Sequence, residues 1–411
     1  MHRVLSILRT RLPVLAAIAA VAIALAIGFH LRGSVFGAWH LLRLPALTPL
    51  FADTRTITHS IDCLRSGQDP YTVRSFDPWQ RVYNYPPIWL DLRYLGVTSQ
   101  TSNLLGVIFA TLSALAFLVL FSARTWIAAL LVFFAVTSKA ILFAVERGNT
   151  DQVIFFLLVA SVFLIDRALL DRRPYFKSAL IILLTVLKIY PVAAVAVLIR
   201  NRKGALLALL TAALSIAALV ITCGHRIGQV FDNTPQRSFV SFGALPCFLA
   251  VLRHAPQPLH ALVEQHPKTA SLGALVLATL SILAGIYFRK HLNRFLPPLD
   301  FDDTRGCIAV AGLAIFCVAF LRGASFDYRL IFLLGAIAYL VEDLNKRISL
   351  RSLPAAFLFV LLLWKPRTPY LFFELADGLV FILASAWLGT SLLNHLQAPP
   401  FDSPSPAINP S

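Results

Sequence analysis

Apolar residues in this chain run in long blocks separated by short polar turns. Pro13–Phe29, Leu104–Phe121, Trp126–Val145 and Val153–Leu164 approach the ~20 residues that cross a bilayer core. Ala205–Thr222, Ser271–Phe288, Gly306–Leu321, Leu330–Leu340 and Gly378–Leu393 repeat the pattern. The period-two alternation of a membrane barrel is absent. The pattern therefore predicts an all-α, polytopic integral membrane protein. The first block reads as a retained anchor, because no small-residue cleavage pattern follows it. Composition agrees: 58% of the 411 residues are hydrophobic and only 14% are charged, against about half and a quarter in a soluble domain.

Charge adds an orientation. The net charge is +16, from 36 Lys plus Arg against 20 Asp plus Glu. The basic residues are spread over many loops and form no patch, which argues against nucleic acid as a partner. Basic loops stay on the cytoplasmic side of a membrane. Arg3, Arg9 and Arg11 precede the first block, and Arg167, Arg172, Arg173 and Lys177 follow the fourth. Further clusters are Arg200–Lys203, Arg289–Arg305, and Lys346, Arg347 and Arg351. Placing all of these on one face predicts about twelve membrane helices with both termini inside. Residues 1–396 then form one membrane-embedded unit, and the Pro-rich tail 397–411 is expected to be disordered and cytoplasmic. Lys177–Lys203 tests the scheme, since it is basic at both ends and reads Lys188-Ile-Tyr-Pro191 in the middle. A short helical hairpin broken at Pro191 keeps both ends inside and lifts Lys188 toward the outer face.

The opposite face gathers the chemistry. Residues 30–103 are too long for a connector, and such segments are usually functional. They carry Asp53 and Arg55, then Gly67-Gln-Asp69-Pro-Tyr71, then Tyr83-Asn-Tyr85-Pro-Pro-Ile-Trp89. Thr54–Leu64 is expected to form a short helix ended by Gly67 and Pro70. Trp79, Tyr83, Tyr85 and Trp89 suit a membrane interface, where amphipathic rings anchor. The next turn is Glu146-Arg147-Gly-Asn149-Thr-Asp151, and Lys139 lies two helical turns before Glu146 on the same face. A lysine within a membrane helix is a functional candidate by default, and the simpler alternative is an ion pair between Lys139 and Glu146 or an aspartate. Asp327-Tyr328-Arg329 and Trp364-Lys365-Pro-Arg367 complete this face. Asp327 and Arg329 are placed to pair with each other. Alternatively Arg147, Lys188, Arg322, Arg329 and Lys365 together offer the cation cluster that phosphate recognition requires.

The five cysteines show no metal-site spacing, and no metal or other cofactor is expected, although a divalent ion stays open. Cys223 and Cys247 are positioned to form a disulfide if the outer side is oxidising. Asp300-Phe-Asp302-Asp303 imitates a metal-binding Asp-x-Asp, but its basic surroundings put it on the cytoplasmic side, as a solvated acidic run.

An early Asp beyond the first span, Gly-Gln-Asp-Pro-Tyr, Tyr-Pro-Pro-Ile, Arg147-Gly-Asn149 and Lys188-Ile-Tyr-Pro occur in the order seen in glycosyltransferase family 87, which the chain resembles over roughly residues 10–340. Asp327-Tyr-Arg-Leu resembles a segment of its divergent bacterial members. The chain departs from the family at Thr54, where an aromatic is common, and its last third matches least. The resemblance implies a class C glycosyltransferase fold in the cytoplasmic membrane of a bacterium, with the site facing outward. It implies a polyprenyl-phosphate-linked sugar as donor, such as mannose or arabinose, and a glycolipid or glycan acceptor. It places the catalytic base on Asp53, and the cation cluster then puts Lys188, Arg147 and Arg329 at the donor phosphate. Arg55, Asp69, Tyr71, Tyr85, Lys139, Glu146, Asn149, Asp151, Asp327 and Tyr328 become candidates for the pocket. The rival reading is a transporter or flippase for a lipid or lipid-linked sugar, since broken helices and buried charge serve transport too.

Overall fold

The computed structural model describes residues 2–168, 173–234, 240–252, 265–346, 350–365 and 371–397. Arg172, Arg347, Arg367 and the tail from residue 398 lie outside the described residues. The described chain is built from α1 (His2–Arg32), α2 (Val35–Leu41), α3 (Ala52–Arg65), α4 (Ser102–Leu120), α5 (Trp126–Val136), α6 (Lys139–Arg147), α7 (Asp151–Ala168), α8 (Arg173–Leu187), α9 (Arg202–Cys223), α10 (Arg226–Asp232) and α11 (Ala244–Val251). There follow α12 (Pro267–Tyr287), α13 (Arg289–Phe295), α14 (Thr304–Leu321), α15 (Leu334–Lys346), α16 (Leu353–Leu363) and α17 (Leu371–Gln397). Shorter 3₁₀ segments cover Pro87–Leu95, Tyr190–Leu198 and Asp327–Leu333, and one antiparallel bridge pairs Ser241 with Phe326 and Phe242 with Ser325.

Among the described residues, seven helices are long and apolar enough to cross a membrane: Leu8–Arg32, Ser99–Leu120, Trp126–Arg147, Arg202–Cys223, Lys268–Tyr287, Thr304–Leu321 and Phe372–Gln397. Several of them turn leucines outward. α9 exposes Leu206, Leu209, Leu210, Leu214 and Ile221, and α12 exposes Leu272, Leu275, Leu280 and Leu283. In water such faces would be large apolar patches. Against lipid they carry no penalty, so the chain is an α-helical membrane protein. The number of long spans is smaller than the expected twelve, because the other apolar elements are short, broken or charged. α7, for example, carries Asp151, Asp166 and Arg167.

The Trp126–Arg147 span is not one straight helix. Thr137 and Ser138 turn their hydroxyls back onto Phe133 O (2.8 Å) and Ala135 O (2.7 Å), which competes with the helical ladder. α5 ends there, and Lys139 opens α6 rather than lying inside a continuous helix.

The hairpin expected around Lys188 is present. α8 runs up to Leu187, the chain turns at Lys188 and Ile189, and Tyr190–Leu198 packs back beside it, with Pro191 in the first turn of the 3₁₀ segment where its missing N–H costs nothing. Both ends of the hairpin reach the same end of the bundle. Lys177 Nζ binds Asp166 (3.0 Å) and Cys307 Sγ (3.1 Å), while Arg200 binds Phe301 O and Asp302. Arg305 with Glu342, and Ala123 N with Thr10 O, belong to that end as well. The Asp-x-Asp run is also here and is structural: Asp302 pairs with Arg200 at 2.6 Å, and Asp303 caps α14 through Gly306 N. Lys188 stands at the opposite end, with Asp53, Asn149 and Asp151.

One expectation fails, and one possibility left open by the sequence is not realised. Tyr83, Tyr85 and Trp89 do not anchor at an interface; they are buried in a separate core with Ile57, Ile61, Tyr71 and Phe109. Trp89 Nε1 donates to Leu187 O at 2.9 Å, so this core ties the loop to the hairpin tip. All five cysteines are free, and Cys223 and Cys247 form no disulfide.

Candidate functional site

The site is built on one corner. α6 ends at Gly148, which has φ +57°, and the chain turns sharply into α7. The stretch before α3 docks into this turn. Phe51, itself at φ +61°, donates its N–H to Glu146 O at 3.1 Å, and Leu47 N donates to Glu146 Oε1 at 2.9 Å. The Phe51 ring lies over Gly106, where a Cβ would stand 2.3 Å from it. Thr54 Oγ1 donates to Gly148 O at 2.7 Å. These contacts fix Asp53 in the first turn of α3 with 8% of its surface exposed.

Gly148 is the weak point of the corner. A Cβ there would be 2.2 Å from Thr54 Oγ1, and a positive φ disfavours any L side chain. Gly148→Ala is expected to cost about 1–3 kcal/mol from backbone strain alone, visible as a lowered unfolding temperature in detergent. Unchanged stability would show that the corner does not hold α3.

Asp53 has two polar partners. Asn149 Nδ2 donates to Oδ2 at 2.5 Å, and Arg81 Nη1 lies 3.4 Å from Oδ1. Arg81 is held in turn by Asp77 (2.9 Å) and by Ala52 O (2.6 Å). Burial lowers the Arg81 pKa, but Asp77 and Asp53 outweigh it and hold the guanidinium above its ordinary value.

Asn149 joins Asp53 to a second group of charges. Its Oδ1 accepts from Asp151 N (2.8 Å) and from Lys188 Nζ (3.2 Å). Lys188 Nζ also bonds Thr150 Oγ1 (2.9 Å) and Asp151 Oδ1 (2.6 Å), and is ringed by Tyr85, Tyr190 and Tyr328. Tyr190 OH donates to Asp151. Arg329 Nε sits 3.9 Å from Asp151 Oδ2, with Nη1 on Ser325 Oγ and the guanidinium over the Tyr190 ring. Arg322 stacks on Phe231. Burial, and then the neighbouring Arg329, push Arg322 down to about 10. Lys188 and Arg329 thus share the Asp151 carboxylate, and Arg322 adds a third cation beside Arg329, an excess of positive charge that an anion would neutralise.

Two cavities meet here. The larger, about 360 Å³, is lined by Asp53, Thr56, Arg74, Arg81, Asn84, Tyr85, Arg147, Asn233, Phe326 and Tyr328. That volume is in the range of small-molecule sites. The smaller, about 50 Å³, is lined by Lys188, Tyr190, Phe231, Arg322 and Arg329. Asn84, Tyr85, Phe326 and Tyr328 line both, so the two are chambers of one site with these residues as the neck.

The other expected residues divide. Arg147 lines the larger chamber, not the cation niche, and is engaged by Glu146 (3.3 Å) and Pro45 O (3.2 Å). Glu146 spends its carboxylate on Leu47 N and Arg147, so no Lys139–Glu146 pair forms. Lys139 instead lines a separate small cavity with Arg43, Asp327 and Lys365. Asp327 and Arg329 do not pair, because the 3₁₀ turn sends them to opposite sides of the wall. Arg55 reaches Leu50 O and Asn103, and Asp69 reaches Arg226, all away from the two chambers. Tyr71 donates to Tyr85 O at 2.8 Å and braces the neck from behind.

Arg81, Asp77 and Asn233 were not anticipated. Asp77-Pro78 is a turn signal, and the Asp77 carboxylate does fold the chain by accepting from Trp79 N and Arg81 N. Asn233 Nδ2 bonds Tyr71 O and Tyr83 O, a long-range contact with no local signature. No family model, curated protein or solved structure matches the chain.

Proposed function

We propose that the protein is a membrane glycosyltransferase that moves a sugar from a polyprenyl-phosphate donor to a hydroxyl of a glycolipid or glycan acceptor, with inversion. One observation carries the reading: a buried carboxylate and a niche of three cations with one nearby carboxylate line two adjoining chambers at one end of an apolar helix bundle. The donor phosphate would take the niche, bonded by Arg322 and Arg329 and drawn by the charge of Lys188, whose three donors are held by Asn149, Thr150 and Asp151. The sugar would pass the Tyr85–Tyr328 neck. Asp53 accepts the proton of the acceptor hydroxyl as its oxygen attacks the anomeric carbon. The bond from that carbon to the phosphate oxygen breaks on the opposite face. The polyprenyl phosphate leaves as an anion, so the niche needs cations and no acid.

Topology fits the same reading. α7, α8, Tyr190–Leu198, Asp327–Lys346 and α16 are five shorter apolar elements, and with the seven long helices they make the twelve passes we propose for a class C arrangement. The basic end then faces the cytoplasm and the two chambers face outward.

Mass spectrometry of lipids and glycans from cells with and without the protein tests the proposal. Loss of one glycosylated product with its lipid-linked donor retained supports transfer. Unchanged glycans with an altered distribution of a lipid between leaflets would select the flippase. In the purified protein, Arg322→Gln should raise the donor KM roughly 10- to 100-fold, the worth of one hydrogen bond to a charged group. An unchanged KM would remove Arg322 from the phosphate site.

A further inference from the structure

Behind the wall that carries Tyr328 and Arg329 lies a second charge cluster, which the transfer reaction does not use. Lys365 Nζ makes three bonds: to Asp377 Oδ2 at 2.6 Å, to Glu374 Oε1 at 2.8 Å and to Ser241 O at 2.9 Å. Its capacity as a donor is then full. Lys365 is 5% exposed, Glu374 2% and Asp377 0%. The second oxygens of both acids, Glu374 Oε2 and Asp377 Oδ1, are buried with no hydrogen-bond partner. A third acid completes the group. Asp327 is 7% exposed, its Oδ1 is buried without a partner, and it lines a small cavity together with Lys365.

The charges do not balance. One ammonium faces three carboxylates away from water. Across the small cavity stand Arg43 and Lys139, and neither comes within ion-pair distance of any of the three acids. Cys247 of α11 approaches Asp377 and Glu374 from the other side and adds no positive charge. An ionised carboxylate buried without a counter-ion or donors is strongly disfavoured, and the usual relief is uptake of a proton. Among the described residues no group of three or more His, Cys, Asp or Glu has the geometry to hold a metal ion.

We propose that the Lys365, Glu374, Asp377 and Asp327 cluster is a proton-binding site, holding at least one exchangeable proton on its carboxylates. The proton keeps α17, the Ser241–Phe326 bridge and the Asp327–Leu333 turn packed together. Lys365 reaches the bridge through Ser241 O, and Asp327 follows Phe326 directly, so the cluster braces the segment that presents Tyr328 and Arg329 to the site.

The inference concerns the full chain in detergent and is independent of whether that chain transfers sugar. A carboxyl raised above its ordinary value binds more protons in the folded than in the unfolded state. Its contribution therefore favours folding at low pH and is lost as pH rises and the carboxyl gives up its proton. The unfolding temperature of the wild type should fall over that rise, and Asp327→Asn, which imitates the protonated acid, should flatten the slope. Infrared difference spectra recorded as pH is raised should show a protonated-carboxyl carbonyl band that bleaches. That band should weaken or vanish in at least one of Asp327→Asn, Glu374→Gln and Asp377→Asn. No such band in the wild type, or a band and a stability slope that all three variants keep, overturns the proposal. The wild-type spectrum decides the matter even if a variant fails to fold.

Discussion

Asp53→Asn should lower transfer by about 10²–10⁴-fold, the usual contribution of a general base, with the protein still inserted in the membrane at normal levels. The substitution keeps the shape of the side chain and its place in the first turn of α3. The contacts that dock this helix come from Phe51, Thr54 and Leu47, not from the Asp53 carboxylate. Arg81 retains Asp77 and Ala52 O. What disappears is the proton acceptor facing the larger chamber. Transfer is measured in membranes supplied with lipid-linked donor, and protein level by blotting. Full activity in this variant would remove Asp53 as the base.

Lys188→Met should be the most destabilising single change in the site. Removing the ammonium leaves Asp151, fully buried, with Tyr190 OH as its one short hydrogen bond and Arg329 no nearer than 3.9 Å. Breaking a buried ion pair from one side costs about 3–5 kcal/mol, a large share of the roughly 5–15 kcal/mol that holds a typical protein folded. The unfolding temperature in detergent should drop sharply and donor binding should be lost. The double variant Lys188→Met with Asp151→Asn separates the two effects, because removing both charges is often close to neutral for stability. Its stability should recover while donor binding stays absent. Wild-type stability in Lys188→Met would show that the pair carries no structural weight.

The membrane character of the chain was plain from sequence, because a bilayer needs long apolar runs and these are additive along the chain. The hairpin at Lys188 was legible for a similar reason: basic residues at both ends of one apolar run and a proline in its middle leave few alternatives. The breaks were harder. Thr137 and Ser138 end α5 through hydroxyl bonds to their own helix, which ordinary apolar residues around them conceal.

Within the site, residues on short turns were found because a polar turn between apolar blocks stands out. Asp53, Glu146–Asp151, Lys188 and Arg329 are of this kind. Their partners were not found when the pairing depended on folding across distance. Arg81 meets Asp53 across 28 positions, and Asn233 meets Tyr71 across 162. Sequence spacing also misassigned pairs. Lys139 and Glu146 share a helix face, yet Glu146 turns to Leu47, a residue 99 positions away. Arg147 was grouped with the phosphate cations on charge alone. Its guanidinium stacks on Phe143 and leans on Glu146, which keeps it in the other chamber.

The two chambers touch only where Asn84, Tyr85, Phe326 and Tyr328 line both. A donor with its phosphate in one and its sugar in the other, as proposed, would have to pass these residues, which would make the neck a gauge on what joins the two ends. Three of its four residues are aromatic, and rings of that kind lie flat against the apolar faces of a pyranose or furanose. The Tyr71 bond to Tyr85 O holds one side of the neck in place. Selectivity for the transferred group would then be written partly in the loop of residues 71–85, the same loop whose Arg81 meets Asp53, so the ring that passes and the setting of the base would change together when that loop is altered.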